Sequence, residues 1–285
     1  MNRIELPNYV ISDIPKQVRA ALDEDIGPGD ITANLVDSGR QANASIITRE
    51  SAVICGQAWA NEVFAQLGDN VTLHWYVADG EKVDRQTTLC SLSGKARDIL
   101  SGERSALNFL QLLSSTATQA HEYAELARHK NITILDTRKT IPGLRTAQKY
   151  AALCGGCSNH RLGLYDAFMI KENHIAAYGS IESAIHAARK YAPDKKIIVE
   201  VETLEELKEA ILSQPDQIML DDFPENHYQY AEEAIHSGIM IELSGSFSLE
   251  RIASLAPLPF PVFISSGAIT KNIKAIDMSL RLRNL

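Results

Sequence analysis

No apolar run in this sequence approaches the roughly 18 residues that a membrane-spanning helix needs, because Lys, Arg, Asp, Glu or Gln interrupts each one. That absence predicts a soluble chain with no membrane partner. Cysteine is scarce too: Cys55, Cys90, Cys154 and Cys157 are too few for a disulfide framework and suit a reducing compartment. The opening segment, MNRIELPNYVISDIPKQ, lacks the apolar stretch and small-residue cleavage site of a secretory leader, which predicts a cytoplasmic location. Basic excess is also missing. With 28 Lys and Arg against 36 Asp and Glu, a net charge of −8 excludes a broad electrostatic footprint for nucleic acid. What remains is ordinary globular composition, 45% hydrophobic and 22% charged, in a chain of 285 residues, enough for one large or two modest domains. There is no convincing internal repeat and no low-complexity segment.

The first 115 or so residues mix helices with short alternating strands. Ser12 and Asp13 precede Pro15 and KQVRAALDEDI, a helix start with a cap and a proline in the first turn, and Gly27-Pro28-Gly29-Asp30 ends that helix. Val71, Leu73, Trp75 and Val77 alternate with polar or amphipathic residues, and ASIITRESAVICG reads as a strand pair, so a small antiparallel sheet with helices is expected. GERSALNFLQLLS reads as a long helix.

From about residue 131 the rhythm changes. The apolar runs ITIL, AFMI, IIVEV, QIML, IMIEL and PVFI, each succeeded by a helical pattern, suit βα units and a mostly parallel sheet, either doubly wound or a barrel. The residues at the end of each run are more telling. Asp136, Arg138 and Lys139 come after the first, Lys171 after the second, Glu200 and Glu202 end the third, and Asp221 and Asp222 the fourth. Glu242, Ser244 and Gly245 come at the fifth, and Ser265, Ser266 and Gly267 at the sixth. Charged and phosphate-friendly residues at the carboxyl ends of parallel strands share one rim, where βα loops build active sites.

Between Asp136 and His174, six basic residues face three acidic ones, so positive charge is concentrated beside that rim in an acidic chain. The pattern suits a small polyanionic substrate, since Arg forks match carboxylates and phosphates. Arg138 and Lys139, between a strand and the Ile141-Pro142-Gly143 turn, are the stronger candidates; Arg145 and Lys149 read equally well as a solvated helix face. His160, after Gly155-Gly156, could act as acid, base or donor, or equally serve as a structural contact. Glu200 and Asp221 suit Mg²⁺ or ribose hydroxyls, or else an ion pair with Lys139 or Lys171 inside the rim; Glu202 shares the strand parity of Glu200 and is expected to face the same way. Ser244-Gly245-Ser246 and Ser265-Ser266-Gly267 offer small residues and N–H groups for phosphate. Arg104, near an apolar stripe, reads as a snorkelling arginine or one delivered across a subunit contact. Cys154-Gly-Gly-Cys157 has the CxxC form, but its place at a helix end favours packing over redox or zinc chemistry.

Residues 136–175, DTRKTIPGLRTAQKYAALCGGCSNHRLGLYDAFMIKENHI, closely resemble the signature of the quinolinate phosphoribosyltransferase family. The resemblance extends through LDEDIGPGDITA, GERSALNF, VEVETLEEL, IMLDDF, ISSGAIT and KAIDMSLR, nearly the whole chain. It implies an α/β fold: an amino-terminal α/β sandwich, over residues 1–115 with the chain's end as a candidate contributor, and an incomplete seven-stranded β/α barrel over 116–285. It implies a homodimer, with higher assembly left open, in which Arg104 reaches the neighbour's site. Quinolinate and phosphate contacts fall by motif on Arg138, Lys139, His160, Arg161 and Lys171, the ribose and magnesium group on Glu200 and Asp221, and the phosphate loops on Ser244-Gly245, Ser266-Gly267 and Lys271. The implied reaction joins quinolinate to 5-phosphoribosyl-1-pyrophosphate with Mg²⁺, giving nicotinate mononucleotide, pyrophosphate and CO₂ in NAD biosynthesis. Lys139, Lys171, Glu200 and Asp221 are then the catalytic group. Cys157, Asp222 and Lys271 depart from the common glycine, asparagine and histidine. Rival readings are a molybdenum-transport-linked paralogue of the same fold, a Schiff-base lyase using Lys171, and a CxxC module.

Overall fold

A computed structural model describes residues 4–283; Met1–Arg3, part of the opening segment read above, lie outside the described residues. No helix among the described residues is long and apolar enough to cross a membrane. The chain divides into two compact units, each discontinuous in sequence: the described residues up to 122, residues 140–156 and the described residues from 269 onward form the first, and 123–139 with 157–268 the second. The segment 140–156 and the chain's end therefore leave the continuous carboxyl-terminal stretch and count with the first unit.

In the first unit, Pro15 sits in the first turn of helix α1 (Ile14–Ile26), and Gly27 comes after its end with φ 52°. The strands β1 (Gln41–Thr48), β2 (Val71–Trp75) and β3 (Thr88–Lys95) form an antiparallel sheet whose fourth member is the chain's last strand, Met278–Arg283, on the outer side of β1. The register runs from Asn43 opposite Arg283 to Thr48 opposite Met278. Trp59, Phe64, Ile46, Leu92 and Leu110 are buried in the core of this unit, with Tyr150 and Ala151 of helix Arg145–Cys154 in the same cluster. Ile99, Ala106, Leu107, Leu110 and Leu113 recur at helical spacing along helix α2 (Ala96–Ala127), which gives the long helix its apolar stripe.

The second unit is built from β4 (Ile132–Leu135), β5 (Ala167–Ile170), β6 (Lys196–Val201), β7 (Gln217–Asp221), β8 (Met240–Ser244) and β9 (Val262–Ser265). These are the six runs read from the sequence. All pairings are parallel, in the order β4-β9-β8-β7-β6-β5. Pairing of the first strand with the last, and of the rest in sequence order, is a barrel cut between β4 and β5 and not a doubly wound sheet. Ser158 supplies a single parallel bridge to Leu135 at that seam, the trace of a seventh strand in the expected incomplete barrel. Continuous apolar strands suit burial on both faces, and Ile197, Ile198, Val199, Val201, Ile218 and Leu220 are all buried. The crossover helices carry their own stop and start signals: Ser180 caps Ile181–Tyr191, and Thr203 with Glu206 forms a capping box at Leu204–Ser213.

Candidate active site

Parallel strands deliver their last residues to one rim, and a cleft of about 370 Å³ opens there. Thr137, Arg138, Lys139, His160, Arg161, Met169, Lys171, Glu200, Met219, Ser244 and Ser265 line it. Eight of the candidates read from the sequence, Arg138, Lys139, His160, Arg161, Lys171, Glu200, Ser244 and Ser265, are thus brought together by the fold.

Beyond β4 the chain turns at Thr137, whose Oγ1 accepts the N–H of Lys139 at 3.0 Å. The Lys139 stem lies against Gly267: a Cβ there would stand 2.7 Å from Lys139 Cδ. Only glycine admits this approach of a basic side chain to the last strand's loop. Asp136, wholly buried, accepts Asn159 Nδ2 at 2.6 Å and the N–H of His160 at 2.8 Å, which fixes the Asn159-His160-Arg161 loop onto the end of β4. Asp166 then accepts the N–H groups of Leu162 and Gly163.

Arg161 is half-buried, and its Nη1 donates to Ala167 O at 3.2 Å. Burial lowers its pKa from the usual guanidinium value, the charge of Arg138 lowers it further, and Asp166 opposes. Two guanidinium groups held near one another in a partly dry cleft favour an anion between them.

At the end of β5, the N–H of Lys171 is held by His174 Nδ1 at 3.1 Å, while its Nζ donates to Glu200 Oε2 at 2.5 Å. Of the alternatives for Glu200, the ion pair inside the rim is therefore present. Burial raises the pKa of Glu200 above the ordinary 4.5; Lys171 pulls it down, and the charges of Asp221 and Glu172 push it up again. Glu202 does not share the burial of Glu200. It lies just past the strand, exposed at the rim, where oxygens of Glu172, Glu200 and Glu202 come within 4.8 Å of one another.

Asp221 closes β7 opposite Ser244 in register, and its Oδ1 accepts Ser244 Oγ at 2.7 Å. Gly245 comes next with φ 137°, its Cα facing Asp222 so closely that a Cβ would stand 2.4 Å from Asp222 Oδ1. Asp222 itself has φ 49°, a conformation that Asp and Asn tolerate best among non-glycine residues. Ser266 is buried; its N–H donates to Leu135 O and its hydroxyl to Phe247 O.

Arg104 and Lys271 are exposed residues of the first unit. The solvated-face reading fails for Lys149, which is wholly buried; Arg145, half-buried, donates to Thr140 Oγ1 at 3.2 Å. The four cysteines are free thiols and buried, and burial pushes the thiol of Cys157 up, with the charge of Asp136 adding to it. That is the opposite of a reactive thiolate.

Sequence reasoning missed the parts played by three groups in this arrangement: His174, which orients Lys171; Asp136, which holds the His160 loop; and Glu242, wholly buried, whose Oε2 lies 3.1 Å from His160 Nε2. A carboxylate inside the apolar run IMIEL was the available signal for Glu242.

The family model for the quinolinate phosphoribosyl transferase N-terminal domain matches residues 30–114, and that for the C-terminal domain matches residues 116–281. A probable nicotinate-nucleotide pyrophosphorylase (carboxylating) of Bacillus subtilis is 39% identical over 258 residues, covering 90% of this chain and 89% of the relative. The solved nicotinate-nucleotide pyrophosphorylase of Francisella tularensis is 43% identical with a TM-score of 0.91, covering 99% of this chain and all of that one (100%). That of Ehrlichia chaffeensis is 31% identical with a TM-score of 0.87, over 98% and 100% of the two chains. With its barrel, its basic rim and both of its parts matched, the chain belongs to the quinolinate phosphoribosyltransferase family.

Proposed function

We propose that the chain transfers the 5-phosphoribosyl group of 5-phosphoribosyl-1-pyrophosphate to the ring nitrogen of quinolinate, with loss of pyrophosphate and CO₂, yielding nicotinate mononucleotide for NAD biosynthesis. One observation carries the reading: Arg138, Lys139, Arg161 and Lys171 line a single cleft whose lining carboxylate, Glu200, is already paired with Lys171. Both substrates are polyanions, and fixed cations in a partly dry cleft stabilise them and the charge that develops on the leaving group.

The bond from the anomeric carbon to the pyrophosphate oxygen breaks, and the pyridine nitrogen forms the new bond to that carbon. Once alkylated, the ring nitrogen is positive and stabilises the carbanion left when the adjacent carboxylate departs as CO₂; a proton then takes its place. In this reading Lys139 and Lys171 stabilise the developing charges, while Arg138 and Arg161 orient the two carboxylates of quinolinate. Ser244-Gly245 and Ser266-Gly267 receive phosphate, with Lys271 as a further cation.

Glu200 and Asp221 are hard oxygen donors at neighbouring strand ends and fit Mg²⁺, which keeps waters and substrate phosphates rather than demanding a full protein cage. The pairing of Glu200 with Lys171 leaves the protein's share of such a site small. The ion would supply charge neutralisation at the pyrophosphate. A homodimer whose Arg104 reaches the partner's cleft, acting in the cytoplasm, completes the proposal.

The test is release of CO₂ and pyrophosphate from quinolinate, the phosphoribosyl donor and Mg²⁺, beside a tube containing nicotinate in place of quinolinate. Product from quinolinate alone is expected. Silence in both tubes from folded protein overturns the reading in favour of a paralogue with another substrate. For Arg104, mixed dimers of Arg104→Ala with a chain inactivated at Lys139 are expected to recover part of the activity that either parent lacks.

A further inference from the structure

The imidazole of His160 is held at both nitrogens. Its Nδ1 lies 2.7 Å from the backbone nitrogen of Arg161, and its Nε2 lies 3.1 Å from Glu242 Oε2. A backbone amide only donates, so Nδ1 is the bare acceptor, and the ring proton sits on Nε2, donated to Glu242. The ring is thus a neutral strut between a buried carboxylate and the main chain of Arg161.

Glu242 is wholly buried within β8. The same Oε2 accepts an N–H of Gln217, whose Oε1 accepts Lys196 Nζ at 2.6 Å. Its other oxygen is buried with no hydrogen-bond partner among the described residues. A half-satisfied buried carboxylate weakens a fold, so stability does not account for it. The His160 side chain is only 7% exposed, and Arg161 beside it is half-buried. On the amino-terminal side of the barrel a second cavity of about 370 Å³ is lined by these two residues together with Lys196 and Gln217.

We propose that Glu242 is a positioning residue: through the Nε2–H of His160 it locks the ring so that Nδ1 fixes the Arg161 backbone, and so aims the Arg161 guanidinium at a carboxylate of the substrate. This rests on the reading of the cleft as the quinolinate site. Nε2, committed to Glu242, and Nδ1, committed to Arg161, leave His160 no ring nitrogen for proton transfer to substrate.

The test uses the full chain labelled with ¹⁵N-histidine, with His160→Asn to identify the resonance. At pH 7 the ring is expected to show a protonated Nε2 and a bare Nδ1. In Glu242→Leu that preference is lost and the KM for quinolinate rises roughly tenfold, while kcat and the KM for the phosphoribosyl donor change less than about threefold. Glu242→Gln keeps an oxygen acceptor and restores both readouts. An Nδ1–H or doubly protonated ring in the wild type, or an unchanged quinolinate KM in folded Glu242→Leu, overturns the proposal. If Glu242→Leu does not fold, Glu242→Asp, which draws the acceptor back by one methylene, carries the same two readouts. A wild type with the expected tautomer and no turnover of quinolinate sinks the functional reading and the aim assigned to Arg161, and leaves only the tether standing.

Discussion

Removing the ammonium of Lys171 leaves Glu200 without its cation, and burial sets the size of the effect. The Glu200 side chain is 8% exposed and that of Lys171 42%, with 2.5 Å between Nζ and Oε2. Breaking a fully buried pair by deleting one partner costs about 3–5 kcal/mol, because the other charge stays buried and unpaired. Water reaching Lys171 screens this pair, so a discounted coupling of about 1–2 kcal/mol is the working figure. Four proteins measure it: wild type, Lys171→Met, Glu200→Gln and the double variant. Urea titrations must be followed by far-ultraviolet circular dichroism, since both tryptophans, Trp59 and Trp75, lie in the first unit and their emission would miss the barrel. Lys171→Met is expected to destabilise wild type strongly and the Glu200→Gln background little. A coupling under about 0.3 kcal/mol would refute the argument, because independent sites add to within that error.

The same geometry fixes three further outcomes. Gly267→Ala places a methyl group 2.7 Å from Lys139 Cδ; the flexible stem yields, so stability falls by only about 1 kcal/mol, whereas the displaced ammonium lowers kcat/KM roughly tenfold. Full activity in that variant would mean that Gly267 does not set the position of Lys139. Because burial raises the pKa of Glu200 above 4.5, kcat/KM is expected to fall on the acid side with a midpoint above that value as the carboxylate protonates, and a midpoint at or below it counts against the assignment. The linked stability term has the sign of any raised carboxylate: it is present below the unfolded pKa and lost as pH rises through the folded one. At Asp222, with φ 49°, exchange for Asn should change stability by less than about 0.5 kcal/mol and exchange for Val should cost about 1–2 kcal/mol; equal effects in urea titration would remove the backbone explanation.

The barrel was legible because strands buried on both faces appear as unbroken apolar runs, and each run is a strand in the structure. Their carboxyl ends were legible for the same reason, so Arg138, Lys139, Lys171 and Glu200 could be placed on one rim from the residue order alone. Unit membership was not. Helix Arg145–Cys154 has the ordinary amphipathic pattern of a crossover, and nothing in that pattern says that its apolar face joins Trp59 and Leu110 instead of the barrel. The solvated reading of Lys149 fails for a related cause: a charge at helical spacing looks the same whether water or protein covers it. Partnerships such as His160 with Glu242, 82 residues apart, depend on strand order, which periodicity does not encode.

The pairing of Gln41–Thr48 with Met278–Arg283 has a consequence for how the chain is made. A strand made early finds its outer neighbour only once residues 278–283 have been added. The barrel strands, residues 132–265, are all synthesised in between. Folding in order of synthesis, the usual course for multidomain chains, can bring the barrel to completion first while one edge of β1 waits exposed. Loss of residues 278–283 would therefore be felt in the sheet to which Gln41–Thr48 belongs.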